Sequence, residues 1–148
     1  MTSPRYDLPA FLQSRVAVEK YRRWLHRKAA AHVRRDRKRL PTPLELSLYK
    51  QKIHQAVLQS DGVDWYTGEA LEWEKISSYD NAEFKLNRSK YKAGFALLPT
   101  VDHVLGETEA FDFVICGWRT NDAKNDLNLQ EFLEVCRKVI ARHGSANL

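Results

Sequence analysis

Matched against the 3.6-residue period of a helix, the apolar positions of this chain fall into three stripes. In the first, Val18, Tyr21, Trp24, Leu25, the stem of Lys28 and His32 recur at three- and four-residue steps. Nothing from Ser14 to Arg39 breaks a helix, so the pattern predicts one there. A second stripe of Leu46, Tyr49, Ile53, Ala56 and Val57 predicts a helix to about Gln59. Thr42-Pro43-Leu44-Glu45 reads as its start, with Thr42 as N-cap, Pro43 in the first helical position and Glu45 completing a capping box. Ser60-Asp61-Gly62 closes it with a glycine suited to a left-handed turn. His54 lies beside this stripe and reads as structural. The third stripe, Phe132, Val135, Cys136, Val139 and Ile140, follows another capping box in Asn128-Leu129-Gln130-Glu131.

Between the second and third helices the period changes. "DWYTGEALEW" sets a turn, Thr67-Gly68, between aromatic and aliphatic residues, as a short hairpin or strand-loop would. Residues 75–94 are polar, with Tyr79, Phe84 and Tyr91 irregularly spaced, and read as loop with a helical turn or two. "GFALLPTVDHV" and "FDFVICGW" are compact β-rich runs with "GET" between them, which predicts an antiparallel hairpin with Asp102 and His103 on its first arm. The predicted class is therefore α+β. Residues 1–13 read as a flexible N-terminus, 14–60 as a helical region, and 61–148 as a strand-strand-helix unit ending in a C-terminal helix.

The length of 148 residues is that of one domain with a real core. Cys116 and Cys136 lie far apart with no CxxC spacing, so neither a disulfide framework nor a structural zinc is expected; both read as buried, reduced thiols. The N-terminus has no apolar core behind a basic start, and no apolar run approaches the ~20 residues that span a bilayer. The expectation is a soluble cytoplasmic protein without a membrane partner.

Charge changes the picture more than composition does. Residues 1–60 hold 14 Lys/Arg against 4 Asp/Glu, whereas 61–148 hold 10 against 15. Within the basic half, Arg34, Arg35, Arg37, Lys38 and Arg39 crowd around a single acid. Charges this dense repel one another, and a DNA or RNA backbone is the usual partner that relieves them. The alternative is a merely solvated basic face.

The acidic half holds the candidate chemistry. Asp112 follows His103 by nine residues and Asn121 follows Asp112 by nine, so the three fall on successive parts of one hairpin-helix unit. Folding that unit is expected to bring Asp102, His103 and Asn121 towards one another. An Asp carboxylate and an Asn carbonyl are hard oxygen ligands suited to Mg²⁺ or Mn²⁺, and a neighbouring histidine is suited to take a proton from water near neutral pH.

These residues resemble the ββα-metal motif of HNH endonucleases. The resemblance covers about residues 64 to 140, with "VDHV" and "WRTNDAKND" as its specific parts and "YTGEAL" similar to the turn that commonly precedes the motif. It implies an HNH-like core in which Asp102 is a metal ligand, His103 the general base and Asn121 the second protein ligand. It also implies DNA as substrate, and products ending in 5′-phosphate and 3′-hydroxyl. Asp112 stands where the family usually has an asparagine that braces the hairpin. A carboxylate there can orient the imidazole by accepting a hydrogen bond but cannot donate one as an amide does. The cysteine pairs that hold a structural zinc in many members are absent, leaving stability to the helices and to Trp65, Tyr66, Trp73 and Trp118.

Several assignments stay open on sequence alone. Asn125 rivals Asn121, and Asp122 and Asp126 also suit a helix N-terminus. Arg119 and Lys124 either contact the scissile strand or neutralise nearby acids. The leading expectation is a Mg²⁺- or Mn²⁺-dependent DNA endonuclease whose basic helices hold the backbone. A second reading is a nucleic-acid-binding module that kept the scaffold but lost catalysis through Asp112. A third is a homodimer formed through the N-terminal helices at Tyr21, Trp24 and Leu25.

Overall fold

The computed structural model describes residues 6–38, 45–76, 93–105 and 111–144. Among them run helices α1 (Val18–Arg37) and α2 (Leu46–Ser60), strands β1 (Pro99–Leu105) and β2 (Phe111–Gly117), then helices α3 (Trp118–Lys124) and α4 (Leu129–His143). The class is mixed α+β, and the order strand, strand, helix is as the pattern predicts. Of the loop predicted over 75–94, residues 77–92 lie outside the described residues, as does the hairpin turn at 106–110.

Helix α1 begins at Val18, the first residue of its stripe and four residues after the expected start at Ser14. Ser14 takes a left-handed φ of 66°, and on either side of this bend Leu12 and Val16 join the core. Helix α2 begins at Leu46, because Glu45 is extended (φ −88°, ψ 124°) and stands outside the first turn. The expected N-cap Thr42 and Pro43 lie outside the described residues. At the other end Asp61 (φ 51°) and Gly62 (φ 87°) make the left-handed exit together. A side chain on Gly62 would also meet the Phe11 ring at 3.2 Å.

The core forms where α1, α2 and one face of the hairpin meet. Tyr21, Trp24, Leu25, Ala29 and Val33 interlock with Tyr49, Ile53 and Val57, with Trp73, and with Val101, Phe113 and Ile115. Trp24 and Trp73 meet edge to face at 5.5 Å. Each such large side chain contributes roughly 1.5–3 kcal/mol by leaving water. Because Tyr21, Trp24 and Leu25 are wholly buried within the chain, they present no surface for a second subunit. Of the four aromatics expected to replace a zinc, only Trp73 is fully buried, and Trp65 is exposed.

The hairpin is antiparallel, with Asp102 opposite Val114, His103 opposite Phe113 and Val104 opposite Asp112. Strand residues alternate between faces, so Val101, His103, Phe113 and Ile115 look towards α1 and α2. Asp102, Asp112, Val114 and Cys116 share the other face, where α3 returns. Helix α4 carries its capping box as expected: the Asn128 side chain accepts from Glu131 N–H at 2.9 Å, and the Glu131 carboxylate accepts from Asn128 N–H at 3.0 Å. None of its residues is buried, and Cys136 is half-buried where a buried thiol was expected. No helix among the described residues is long and apolar enough to cross a membrane.

Candidate functional site

The alternation along β1 sends the two residues at the centre of the expected site to opposite sides. His103 faces α1. Its ring lies 5.3 Å from Phe113 and 6.3 Å from His32, and its Nδ1 is 4.0 Å from Asp36 Oδ1, within ion-pair reach. Asp36 is buried and accepts a 2.5 Å hydrogen bond from the Tyr49 hydroxyl at its other oxygen. Burial, then that bond, pushes the Tyr49 phenol well above its ordinary range, so it stays a neutral donor. His32 donates Nε2–H to the Val101 carbonyl at 3.2 Å. Burial, and next the Arg35 guanidinium beside it, lowers His32 from 6.5 to about 4.

Asp102 faces α3. Its Oδ2 lies 3.0 Å from Lys124 Nζ and accepts a short hydrogen bond from the Tyr66 hydroxyl. Burial, then that bond, raises the Tyr66 phenol. Cys116 shares this face; burial and the nearby Asp102 carboxylate hold its thiol protonated, well above the usual range. Both Asp102 and Lys124 are buried, so the pair is a desolvated ion pair beneath a short helix.

The same helix is moored by a residue the sequence did not single out. Asp64 is buried; its Oδ1 accepts from Tyr66 N–H (2.8 Å) and Thr67 N–H (3.2 Å). Its Oδ2 accepts from Gly117 N–H and the Thr120 hydroxyl, both at 2.8 Å. One carboxylate thus ties the Tyr66-Thr67 turn to the first turn of α3 and aims the Tyr66 ring at Asp102. Gly117 is required at this junction, because a Cβ there would stand 2.8 Å from the Ala96 carbonyl oxygen.

The remaining expected residues divide clearly. Asp112 sits on Asp102's face of the hairpin, so it is not the group that orients His103. Asp36 stands there instead, brought by α1. Asn121 lies on α3 one turn before Lys124, half-buried, while its rival Asn125 takes a positive φ of 53° and ends the helix. Asp122 lies in the middle of α3, and Asp126 falls between α3 and α4, two residues before the Asn128 cap. Arg34, Arg35, Arg37 and Lys38 are all exposed at the end of α1, whereas Arg39 lies outside the described residues. Arg119 is exposed and paired with Glu69. Of the two roles expected of Lys124 the structure shows the second, neutralising a nearby acid: it is buried against Asp102 and does not stand on the surface as a nucleic-acid contact would.

The site brings together His103 with Asp36, and Asp102 with Lys124 on the helix that carries Asn121. It does not bring His103 and Asp102 onto one face. Among the described residues no group of three His, Cys, Asp or Glu side chains is placed to hold a metal ion. A hard divalent ion needs only one or two protein oxygens, and the donor chemistry of Asp102 and Asn121 suits it. The Asp102 carboxylate is already met by the Lys124 ammonium and the Tyr66 hydroxyl, and Lys124 is the group a metal ion would have to displace. Comparison with protein-family models, with curated proteins and with solved structures finds no match to this chain.

Proposed function

We propose that this protein is an HNH-type DNA endonuclease that holds the phosphodiester backbone against the end of α1 and hydrolyses it with His103 as general base. One observation supports this most directly. In the run from Arg34 to Lys38 the four bases point outward and the single acid, Asp36, points inward to face His103. A single helical turn therefore joins an unbroken cationic surface on its outer side to a carboxylate that faces His103 on its inner side, so the reading requires the DNA backbone to round the end of α1 to reach the imidazole.

The chain's own residues then have distinct tasks. Arg34, Arg35, Arg37 and Lys38 bind phosphates by releasing condensed counterions. Asp36 favours the imidazolium that forms when His103 accepts a proton, and Tyr49 fixes the Asp36 carboxylate. Asp102 and Asn121 are the groups that would hold Mg²⁺ or Mn²⁺ and supply charge neutralisation at the phosphoryl oxygens; because Asp102 lies across the hairpin from His103, that role requires β1 to rearrange when DNA binds.

A second reading, binding without cleavage, has its own support. Asp102 is already neutralised by Lys124, and His103 Nε2 is buried. Nicking of supercoiled plasmid at low salt with Mg²⁺ or Mn²⁺ separates the two. The nuclease reading expects cleavage that fails with chelator and in His103→Ala, and that slows by roughly ten- to a hundredfold in Asp36→Asn with DNA binding kept. Plasmid that is shifted but uncut with every metal would leave the binding module. Neutralising Arg34, Arg35, Arg37 and Lys38 should flatten the slope of log K against log salt by about 0.9 for each phosphate no longer neutralised. Unchanged binding would remove α1 from the interface.

A further inference from the structure

Lys28 carries a half-buried charge that neither the core nor the site described above uses. It lies one turn from Trp24 on one side and from His32 on the other, within the buried stripe of α1, and its head reaches β1. There the ammonium donates to the Thr100 hydroxyl at 3.0 Å. This is the first of three polar contacts by which successive turns of α1 meet β1, followed by His32 with the Val101 carbonyl and Asp36 with His103. Among the described residues no carboxylate stands within ion-pair reach of Lys28. The groups that act on it are the Arg27 and Arg35 guanidinia of its own helix and the Cys116 thiol of β2, which burial keeps protonated. Burial, then these two guanidinia, lowers the Lys28 amine from 10.5 to about 8.

The placement is costly. One hydroxyl does not replace the water that an ammonium gives up, and Lys124 shows the usual remedy, a carboxylate at 3.0 Å. A half-buried cation that its neighbours repel, with two N–H donors beyond the one given to Thr100, suits an anion arriving from outside. Arg35 marks the line that anion follows. It is exposed, lies two turns on along the same flank of α1, and stands about 10 Å from Lys28 along the helix axis. One extended polyanion on this flank, beside β1, satisfies both cations.

We propose that Lys28 is a phosphate-binding residue whose ammonium, placed by Thr100, takes a backbone phosphate of the nucleic-acid strand that Arg35 also holds. The inference rests on the DNA-holding part of the proposed function and not on hydrolysis at His103. A bound phosphate favours the charged amine, so binding takes up a proton wherever the free amine is partly neutral. Affinity therefore falls as pH rises from about 7 to about 9.

Fluorescence anisotropy with a labelled DNA duplex and the full chain, without metal and across a series of salt concentrations and pH values, tests this. Lys28→Met should lower the slope of log K against log salt by about 0.9 and lose the fall in affinity between about pH 7 and 9. Its urea midpoint should be no lower than that of the wild type, because an uncompensated charge has left a half-buried position. Lys28→Arg should keep the salt slope but lose the pH dependence, since a guanidinium stays charged throughout. If Lys28→Met weakens the fold, Lys28→Arg decides: lost pH dependence with the slope retained supports the proposal, and wild-type pH dependence overturns it. A wild-type salt slope in Lys28→Met would leave the lysine serving only Thr100 and overturn the proposal, even where plasmid nicking upholds the nuclease. Binding that depends on Lys28 without any nicking would end the nuclease reading and leave this one standing. A wild-type chain that fails to bind the duplex at low salt would overturn it outright.

Discussion

His103 and Asp102 are chain neighbours, yet one faces two helices of the core and the other a single short helix. On the His103 face the surroundings are mostly aromatic and apolar, and the nearby His32 is driven to about 4 chiefly by burial. On the Asp102 face the charge is kept, because Lys124 stands 3.0 Å away. The difference shows two outcomes of one cost. Taking charge out of water is expensive, so a buried group either gives up its charge, as His32 does, or finds a partner, as Asp102 does.

The largest expected effect comes from breaking the paired face. Lys124→Met leaves the Asp102 carboxylate buried with the Tyr66 hydroxyl but without its counter-charge, and should cost about 3–5 kcal/mol in urea unfolding. That is a large part of the roughly 5–15 kcal/mol typical of a domain. Adding Asp102→Leu to Lys124→Met should recover most of the loss, since an apolar pair of similar volume has no desolvation to offset. A loss below about 1 kcal/mol for Lys124→Met would show that water reaches the pair and that the two faces are electrostatically alike.

The His103 face should reveal itself in the acid limb of stability. His32 has a folded value near 4 against 6.5 when unfolded, so between those values the unfolded chain binds more protons and stability rises with pH. The His32 contribution is complete above about pH 6.5 and is lost progressively down to about pH 4; over that window it amounts to roughly 3 kcal/mol. His32→Gln, which removes the titrating group and retains a side-chain N–H donor, should flatten this limb between about pH 6.5 and 4. If the variant keeps the wild-type slope, the acid loss comes from other groups and the account of a neutral His32 fails.

How much of this was legible in the sequence depends on how local the cause is. The α4 capping box was readable because Asn128 and Glu131 satisfy each other within one turn. The helix stripes and the hairpin followed from periodicity, which is also local. Asp36 lay within reach of the same reasoning: the α1 stripe that ends at His32 continues, one turn on, to Asp36, but the basic neighbours hid it. The face taken by Asp112 depends on strand register, which one residue more or less in the turn would have reversed. Asp64 gave only a weak signal, an acid just before a Thr-Gly turn, since two of its four bonds come from Gly117 and Thr120, far along the chain. The burial of Lys124 had no local sign at all. Spacing suggested that Asp102 and His103 act together; side-chain alternation on a strand is the local rule that argues against it.

The smallest expected effect sharpens the comparison within α3 itself. Arg119 and Lys124 both lie on this helix and each is paired with an acid, but the Arg119 and Glu69 side chains are 52% and 39% exposed while those of Lys124 and Asp102 are 5% and 10%. An exposed pair gains little because water already solvates both charges and salt screens them. Arg119→Ala should therefore change stability by no more than about 0.5 kcal/mol, on the same helix where Lys124→Met is costly. Its effect on DNA binding carries separate information: a fall in affinity with stability intact would mean that Arg119 leaves Glu69 for a phosphate, extending the cationic surface of α1 across the Asp102 side of the hairpin. A stability loss as large as that of Lys124→Met would mean that solvent exposure is not what distinguishes the two pairs, and the contrast drawn between buried and exposed charge in this protein would have to be abandoned.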